Sequence, residues 1–181
     1  MIPVVPELVG ERVVLRPVAA ADVETLRAIR RTPEVMRWWQ AIPDDWPFGP
    51  EDEETVLTVL VDDEIVGLVQ FLEEEEPDYR HAALDIFLAP GHHGRGLGTD
   101  AVATLVRHLV AERGHHRLTI DPATENEAAI RCYARVGFHP VGVMHAYWFD
   151  HTQGGWRDGL LMELVVSARP GAPAVGDARG A

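Results

Sequence analysis

The chain has 181 residues, 46% of them hydrophobic and 25% charged, a composition that fits one folded domain and excludes disorder over its bulk. All 16 basic residues are arginine and stand against 29 acids, for a net charge of −13, so the basic footprint needed for nucleic-acid binding is missing. Arg107 and His108, or Asp62 and Asp63, interrupt the longest apolar stretches, so nothing spans a bilayer. The first ten residues lack the basic-then-apolar pattern of a signal peptide, and the single Cys132 argues against a disulfide or a zinc site.

In chain order, alternation predicts a strand over 11–18. Asp22 reads as the N-cap of a short helix with Val23, Leu26 and Ile29 on its apolar face. A second helical stretch opens at Thr32-Pro33 and runs to Trp38-Trp39, and the prolines of 41–50 make that segment a loop. Runs at 55–61 and 65–72 around Asp62-Asp63-Glu64 predict a hairpin, followed by an acidic loop at 73–78 and a strand over 82–89. A glycine-rich segment, 91–99, leads into a helix faced by Val102, Leu105, Val106, Leu109 and Val110 and ended by Gly114. A short strand at 117–120, a helix at 126–136 stopped by Gly137, and strands at 141–149 and 160–166 complete the pattern. The order, β-α-α-β-β-β-α-β-α-β-β, predicts an α/β fold with a mixed sheet of about seven strands and about four helices. One domain over 1–166 and a loosely packed Ala/Gly/Pro-rich tail at 167–181 are expected, in a cytoplasmic protein.

Charge is concentrated. Between Trp38 and Tyr79 stand fourteen Asp and Glu and no Arg, which favours a cationic partner or else a solvated acidic face. The nine histidines show no metal-ligand spacing and are expected at the surface, with His92-His93 alone placed at a site by position.

Glycines 94, 96 and 98, between a strand and a helix, let backbone N–H groups approach an anion, which points to a phosphate or pyrophosphate; a tight turn that binds nothing is the plain alternative. A Walker A loop needs a lysine, and the chain has none. A dinucleotide fingerprint can be drawn on Gly96-Leu97-Gly98-Thr99-Asp100-Ala101 with Asp121 beyond the next strand, but it lies halfway down the chain with too little sequence after it for a doubly wound sheet.

The segment His93-Gly94-Arg95-Gly96-Leu97-Gly98 resembles the Q/R-x-x-G-x-G/A loop of the GNAT superfamily of N-acetyltransferases, with His93 where Gln or Arg is usual. Residues 126–138, NEAAIRCYARVGF, are similar to that family's N-x-x-A-x-x-x-Y-x-x-x-G-F helix. The resemblance covers about residues 12–166 and implies a GNAT fold, with acetyl-coenzyme A as co-substrate, held by His93, Gly94, Arg95, Gly96, Leu97, Gly98, Thr99 and Asn126, and no metal. It implies a bulged strand at Ile86, Phe87 and Leu88 offering an amide to the thioester carbonyl, and Tyr133 as general acid for the leaving thiolate. Cys132, about 100° round the helix from Tyr133, is read as a free buried thiol.

Within that superfamily the chain most resembles the aminoglycoside 6′-N-acetyltransferases, through Arg12-Val13-Val14-Leu15-Arg16, Trp38-Trp39, Gly96-Leu97-Gly98-Thr99 and Asp121-Pro122. This implies that Asp85 and Asp121 bind the amino sugar, that Asp121 accepts the amine proton directly or through water, and that Trp38 and Trp39 wall the acceptor site. A protein N-terminus, a siderophore- or polyamine-type amine, or an acyl-coenzyme A binding module without turnover are the competing readings. The partner implied is a cationic small molecule, with neither nucleic acid nor membrane, and a monomer and a homodimer both stay open.

Overall fold

The structure, a computed structural model, describes residues 5–39, 46–47 and 54–166. The tail 167–181 and most of the loop 41–50 lie outside the described residues. The elements in order are β1 (Leu8–Val9), β2 (Val14–Pro17), α1 (Val23–Arg30), α2 (Pro33–Met36), β3 (Thr55–Val61), β4 (Glu64–Glu74), β5 (His81–Leu88), α3 (Leu97–Ala111), β6 (Arg117–Ile120), α4 (Glu127–Val136), β7 (His139–Asp150) and β8 (Gly155–Val165). They form one eight-stranded sheet of order β1-β2-β3-β4-β5-β6-β8-β7 with four α-helices. One strand more is present than expected, because Leu8–Val9 adds a two-residue edge to β2. Such a short strand leaves almost no periodic signal to read.

Every pairing is antiparallel except β5 with β6, which α3 connects as a crossover. Helices cover both faces. Leu97, Ala101, Val102, Leu105 and Leu109 of α3, all fully buried, pack with Tyr133 of α4 against Leu15, Leu57, Val69, Phe71, Leu84 and Leu118. Each such leucine contributes about 1.5–3 kcal/mol by leaving water. Leu26, Ile29 and Val35 from α1 and α2, with Trp46, cover Leu68 and Phe87 on the other face. Period-two alternation along β5 sends Leu84 and Leu88 to the first core and Phe87 to the second.

Three expectations need correcting. Asp22 does not cap α1 with its side chain. Its carboxylate instead accepts from Arg16 at 2.6 and 2.9 Å, from the Ala19 amide at 2.8 Å and from Thr58 Oγ1 at 2.9 Å, tying β2, β3 and the entry to α1 together. Glu73 lies inside β4 and not in an acidic loop: it accepts from Arg113 Nη2 at 2.7 Å and from His115 Nε2 at 2.6 Å. Burial pushes the Glu73 carboxyl up, and the bonds from Arg113 and His115 more than reverse this. His108 and His115, expected at the surface, are buried with 9% and 2% exposure, because the C-terminal end of α3 and the chain following it fold onto the sheet.

The Arg16 hydrogen bond, opposed by desolvation and helped by Ala19 and Thr58, holds the Asp22 carboxyl at about 2, against an ordinary 3.8. That depression stabilises the fold by about 2 kcal/mol above pH 4 and is lost as pH falls toward 2. Asp22→Asn is therefore expected to lower the unfolding free energy by about 2 kcal/mol at pH 7. In urea titrations the gap between the two proteins should narrow at pH 3; an equal gap at both pH values would remove the charge from the explanation.

Candidate active site

The parallel pairing of β5 and β6 is brief. Ala82 pairs with Leu118 and Ala83 with Thr119, and there the two strands part. Pro122, which has no N–H for a ladder, follows at once, and the chain turns so that the Pro122 carbonyl accepts from the Leu160 amide at 2.8 Å. Asp85 lies two residues beyond Ala83 and Asp121 two beyond Thr119, so the carboxylates are register mates across the opening. A cleft of about 240 Å³ fills the gap, lined by Asp85, Asp121, Tyr133, Asn126, Trp38, Trp39 and Ile86 and also by Arg30, Tyr147 and Trp148.

The β4–β5 register runs from Gly67 with Leu88 to Glu74 with His81 without a shift, so the expected bulge at Ile86, Phe87 and Leu88 is not in this pairing. The amides are sorted by alternation instead. The Ala89 amide donates to the Val66 carbonyl at 2.7 Å, so Phe87 also pairs with β4, whereas Ile86 and Leu88 turn their backbone groups toward the opening. The Ile86 amide donates to Asp85 Oδ1 at 2.8 Å, and the Leu88 carbonyl accepts from His93 Nε2 at 2.8 Å. Phe87 is a core residue, edge-on to Trp39 at 4.9 Å between ring centroids. His93 thus braces the strand end.

The glycine loop has the geometry of an anion cradle. Gly94 and Gly96 sit at φ +71° and +81°, and a Cβ built on Gly94 meets nothing within 4 Å. Arg12 Nη1 lies 3.8 Å from the corresponding point on Gly96 and holds the Arg95 carbonyl. Gly96 is the N-cap of α3, whose first-turn amides at Leu97, Gly98 and Thr99 have no acceptor within the helix. Thr99 Oγ1 lies 3.3 Å from Cys132 Sγ, which stitches α3 to α4. Burial pushes the Cys132 thiol up, the opposite of an activated nucleophile.

Asn126 caps α4 through Oδ1, which accepts from the Ala129 amide at 3.2 Å, so its amide nitrogen is the group that can donate into the cleft. Asp85 opens to the cleft yet is sunk among protein atoms. Desolvation raises its carboxyl to about 7, with Asp121 and Glu54 adding to the effect and Arg30 opposing it. Asp121 is also raised by burial, and a hydrogen bond from Tyr147 works against this. The buried Tyr133 hydroxyl is held well above 10, first by desolvation and then by the carboxylates around it.

Sequence reasoning missed Arg30 and Tyr147. Arg30 is buried on α1 with its guanidinium 5.0 Å over Trp39 and 4.7 Å over Trp46; Arg37 lies 4.5 Å over Trp38. An arginine every few residues on a surface-looking helix gave no sign that this one turns inward. The acidic stretch, expected either to meet a cationic partner or to be a solvated face, fits the second reading among the described residues. None of its described carboxylates lines the cleft, although Glu54 acts on Asp85 through space.

A family model described as an acetyltransferase (GNAT) domain matches residues 12–139. Spermidine N(1)-acetyltransferase of Escherichia coli (strain K12) is 28% identical over 158 residues, 82% of this chain and 83% of that protein. Phosphinothricin N-acetyltransferase of Streptomyces coelicolor is 35% identical over 142 residues, 77% of this chain and 76% of that protein. Among solved structures, AAC(6')-Ib in complex with paromomycin and acetyl-CoA superposes with a TM-score of 0.71 at 24% identity, covering 86% of this chain and 94% of the other. A parted parallel strand pair, a glycine cradle at α3 and a tyrosine on α4 are thus joined to a matching family model over most of the folded chain: the protein belongs to the GNAT acetyltransferase family.

Proposed function

We propose that this chain transfers the acetyl group of acetyl-coenzyme A to a primary amine of a cationic small molecule, most specifically the 6′-amine of an aminoglycoside. The observation that carries the reading is the pair Asp85 and Asp121, facing one another across the parted strands with the Tyr133 hydroxyl in the same cleft. Two carboxylates attract an ammonium, and Trp38 and Trp39 offer flat walls to a ring. The cleft is below the roughly 300–1,000 Å³ of sites that enclose a whole drug-sized ligand, so it takes the reacting end of the acceptor.

Residues 94–99 would hold the coenzyme's pyrophosphate on backbone amides, and the thioester supplies an activated acyl carbon beside Ile86. Asp121 takes a proton from the acceptor ammonium, which frees the nitrogen lone pair to form the new C–N bond. The Ile86 amide, once released by Asp85, donates to the oxygen where negative charge develops. As the C–S bond breaks, Tyr133 protonates the departing sulfur, and the second proton shed by the acylated nitrogen restores the tyrosine, directly or through water. The low-dielectric, carboxylate-bearing surroundings that raise the tyrosine would also disfavour a free thiolate, which favours its protonation. Asp121 and Tyr133 sharing one cleft supports turnover over mere acyl-coenzyme A binding.

A second reading keeps the chemistry and makes the acceptor a polyamine. It is favoured by the spermidine N(1)-acetyltransferase relative, which matches over most of both chains. Thiol release with an aminoglycoside, spermidine and a dipeptide amine separates the readings. The aminoglycoside should give the highest kcat/KM and the dipeptide the lowest; spermidine in first place would transfer the proposal to the polyamine, and equal use of the dipeptide would sink both.

Two substitutions test the machinery. Gly96→Val places a branched side chain at φ +81°, in the path of the pyrophosphate, and should raise KM for acetyl-coenzyme A far more than KM for the amine. Equal increases would indicate general misfolding. Tyr133→Phe removes the acid and leaves the ring in the core, so single-turnover measurements should show acetyl-coenzyme A binding retained and the rate down by about 10²–10⁴. Turnover near that of the wild type would assign the sulfur's proton to water.

A further inference from the structure

We propose that Tyr147 is a positioning residue for Asp121: its hydroxyl, brought into the cleft by a bulge in β7, holds the carboxylate in place to accept the acceptor's proton. The inference rests on the reading of Asp121 as the base.

Tyr147 reaches the cleft through a distortion built into β7. The register between β7 and β8 shifts between Met144 and Trp148, and Ala146 inside that shift has φ +50°. Such a conformation is costly for alanine and persists only when its surroundings enforce it. Asp158 of β8 does so. Its Oδ1 accepts from the Ala146 amide at 2.9 Å, and its Oδ2 is 2.9 Å from His145 Nδ1. The bulge thereby turns Tyr147 across the next strand, where its ring lies over Gly159. A Cβ at Gly159 would stand 2.7 Å from Tyr147 Cδ1, closer than any real contact, so only glycine admits the ring there. From that seat Tyr147 lines the same cleft as Asp121, and its hydroxyl acts on that carboxylate.

The effect on Asp121 has a definite sign. Burial favours its neutral form, and a donor favours the carboxylate. Tyr147 itself is pushed up to about 12, chiefly by that hydrogen bond, so it remains a donor throughout the working range. The other charged or titratable groups around the site are Asp85 on β5, Cys132 and Tyr133 on α4, Arg30 on α1 and Glu54 before β3, with His145 in the bulge and Asp158 clipping it from β8. All of these are retained in Tyr147→Phe, so only the hydroxyl differs.

The test is Tyr147→Phe, with the ring half-exposed and the fold independent of its hydroxyl. A hydrogen bond to a charged group is worth about one pH unit or more in the carboxyl's titration. Carbon-13 NMR of the Asp121 side chain should therefore titrate about one unit higher in the variant than in the wild type. The ratio of variant to wild-type kcat/KM, in which the acceptor's own titration cancels, should fall about tenfold on the acid side and return toward unity on the alkaline side. Gly159→Ala, which keeps the hydroxyl but displaces the ring, should shift both readouts in the same direction. A merely structural role would lower the ratio equally at every pH and leave the Asp121 resonance unmoved, and that outcome overturns the proposal. Asp121→Asn separates the two layers: if it leaves kcat and its pH profile unchanged, Asp121 is not the base and both readings fall. If Asp121→Asn abolishes turnover while Tyr147→Phe moves nothing, only the role of Tyr147 is lost.

Discussion

The parting of β5 from β6 after Ala83 and Thr119 is the constraint on which the rest depends. Two parallel strands that stay paired satisfy one another's backbone groups; two that separate leave amides and carbonyls facing a gap. Here the gap receives the Ile86 amide, the Leu88 carbonyl and the carboxylates of Asp85 and Asp121. The fold manages the cost locally. Asp85 takes the Ile86 amide, His93 takes the Leu88 carbonyl, and the Pro122 carbonyl is taken up by β8. These bonds are short-range and exchangeable, so a ligand entering the gap can replace them without unfolding the strands.

The same opening sets the electrostatics. A carboxyl raised to about 7 binds its proton more tightly in the folded than in the unfolded chain. The stability it lends is full below pH 4 and is lost as pH rises through 7. A carboxyl held near 7 exchanges its proton close to neutral pH, and an ammonium beside it would favour the carboxylate, so acceptor binding and proton release are coupled. Arg30, buried over Trp39 and Trp46, moderates this by adding one positive charge behind Asp85.

What the sequence disclosed was local in the chain. The glycine cradle, the helix opening at Asn126, the α4 face carrying Tyr133 and the strand-end position of Asp121 are short-range patterns, each readable within a dozen residues. Asp85 was legible only with the family resemblance, since one acid in a strand has no period of its own. What stayed hidden was brought in by tertiary packing. Arg30 looks like any arginine on an amphipathic helix until Trp39 and Trp46 close over it. Glu73 looked like one of four exposed glutamates until Arg113 and His115 arrived from beyond α3. Tyr147 depends on a bulge whose clip, Asp158, is eleven residues away on another strand. The acidic run from Trp38 to Tyr79 shows why its two readings stayed open in the sequence: a count of charges says how many there are, not which way they point.

The two ligands are thus served by different parts of the chain. On the proposed reading, the donor side is the loop into α3 together with α4, where backbone amides at the helix start would carry the binding. The acceptor side would then be Arg30, Trp38 and Trp39 on one flank and the β7–β8 hairpin on the other, where side chains line the cleft. Backbone amides at a helix terminus hold a pyrophosphate whatever the neighbouring side chains are, so that half can be kept while the other varies. Acceptor choice can then change by substitutions on α1 and just after α2 while the acyl-donor side is kept. Asp121 stands where the halves meet, fixed at the end of β6 by the sheet and addressed from the hairpin by Tyr147. A change in the hairpin can therefore alter the proton-accepting step as well as the fit of the amine.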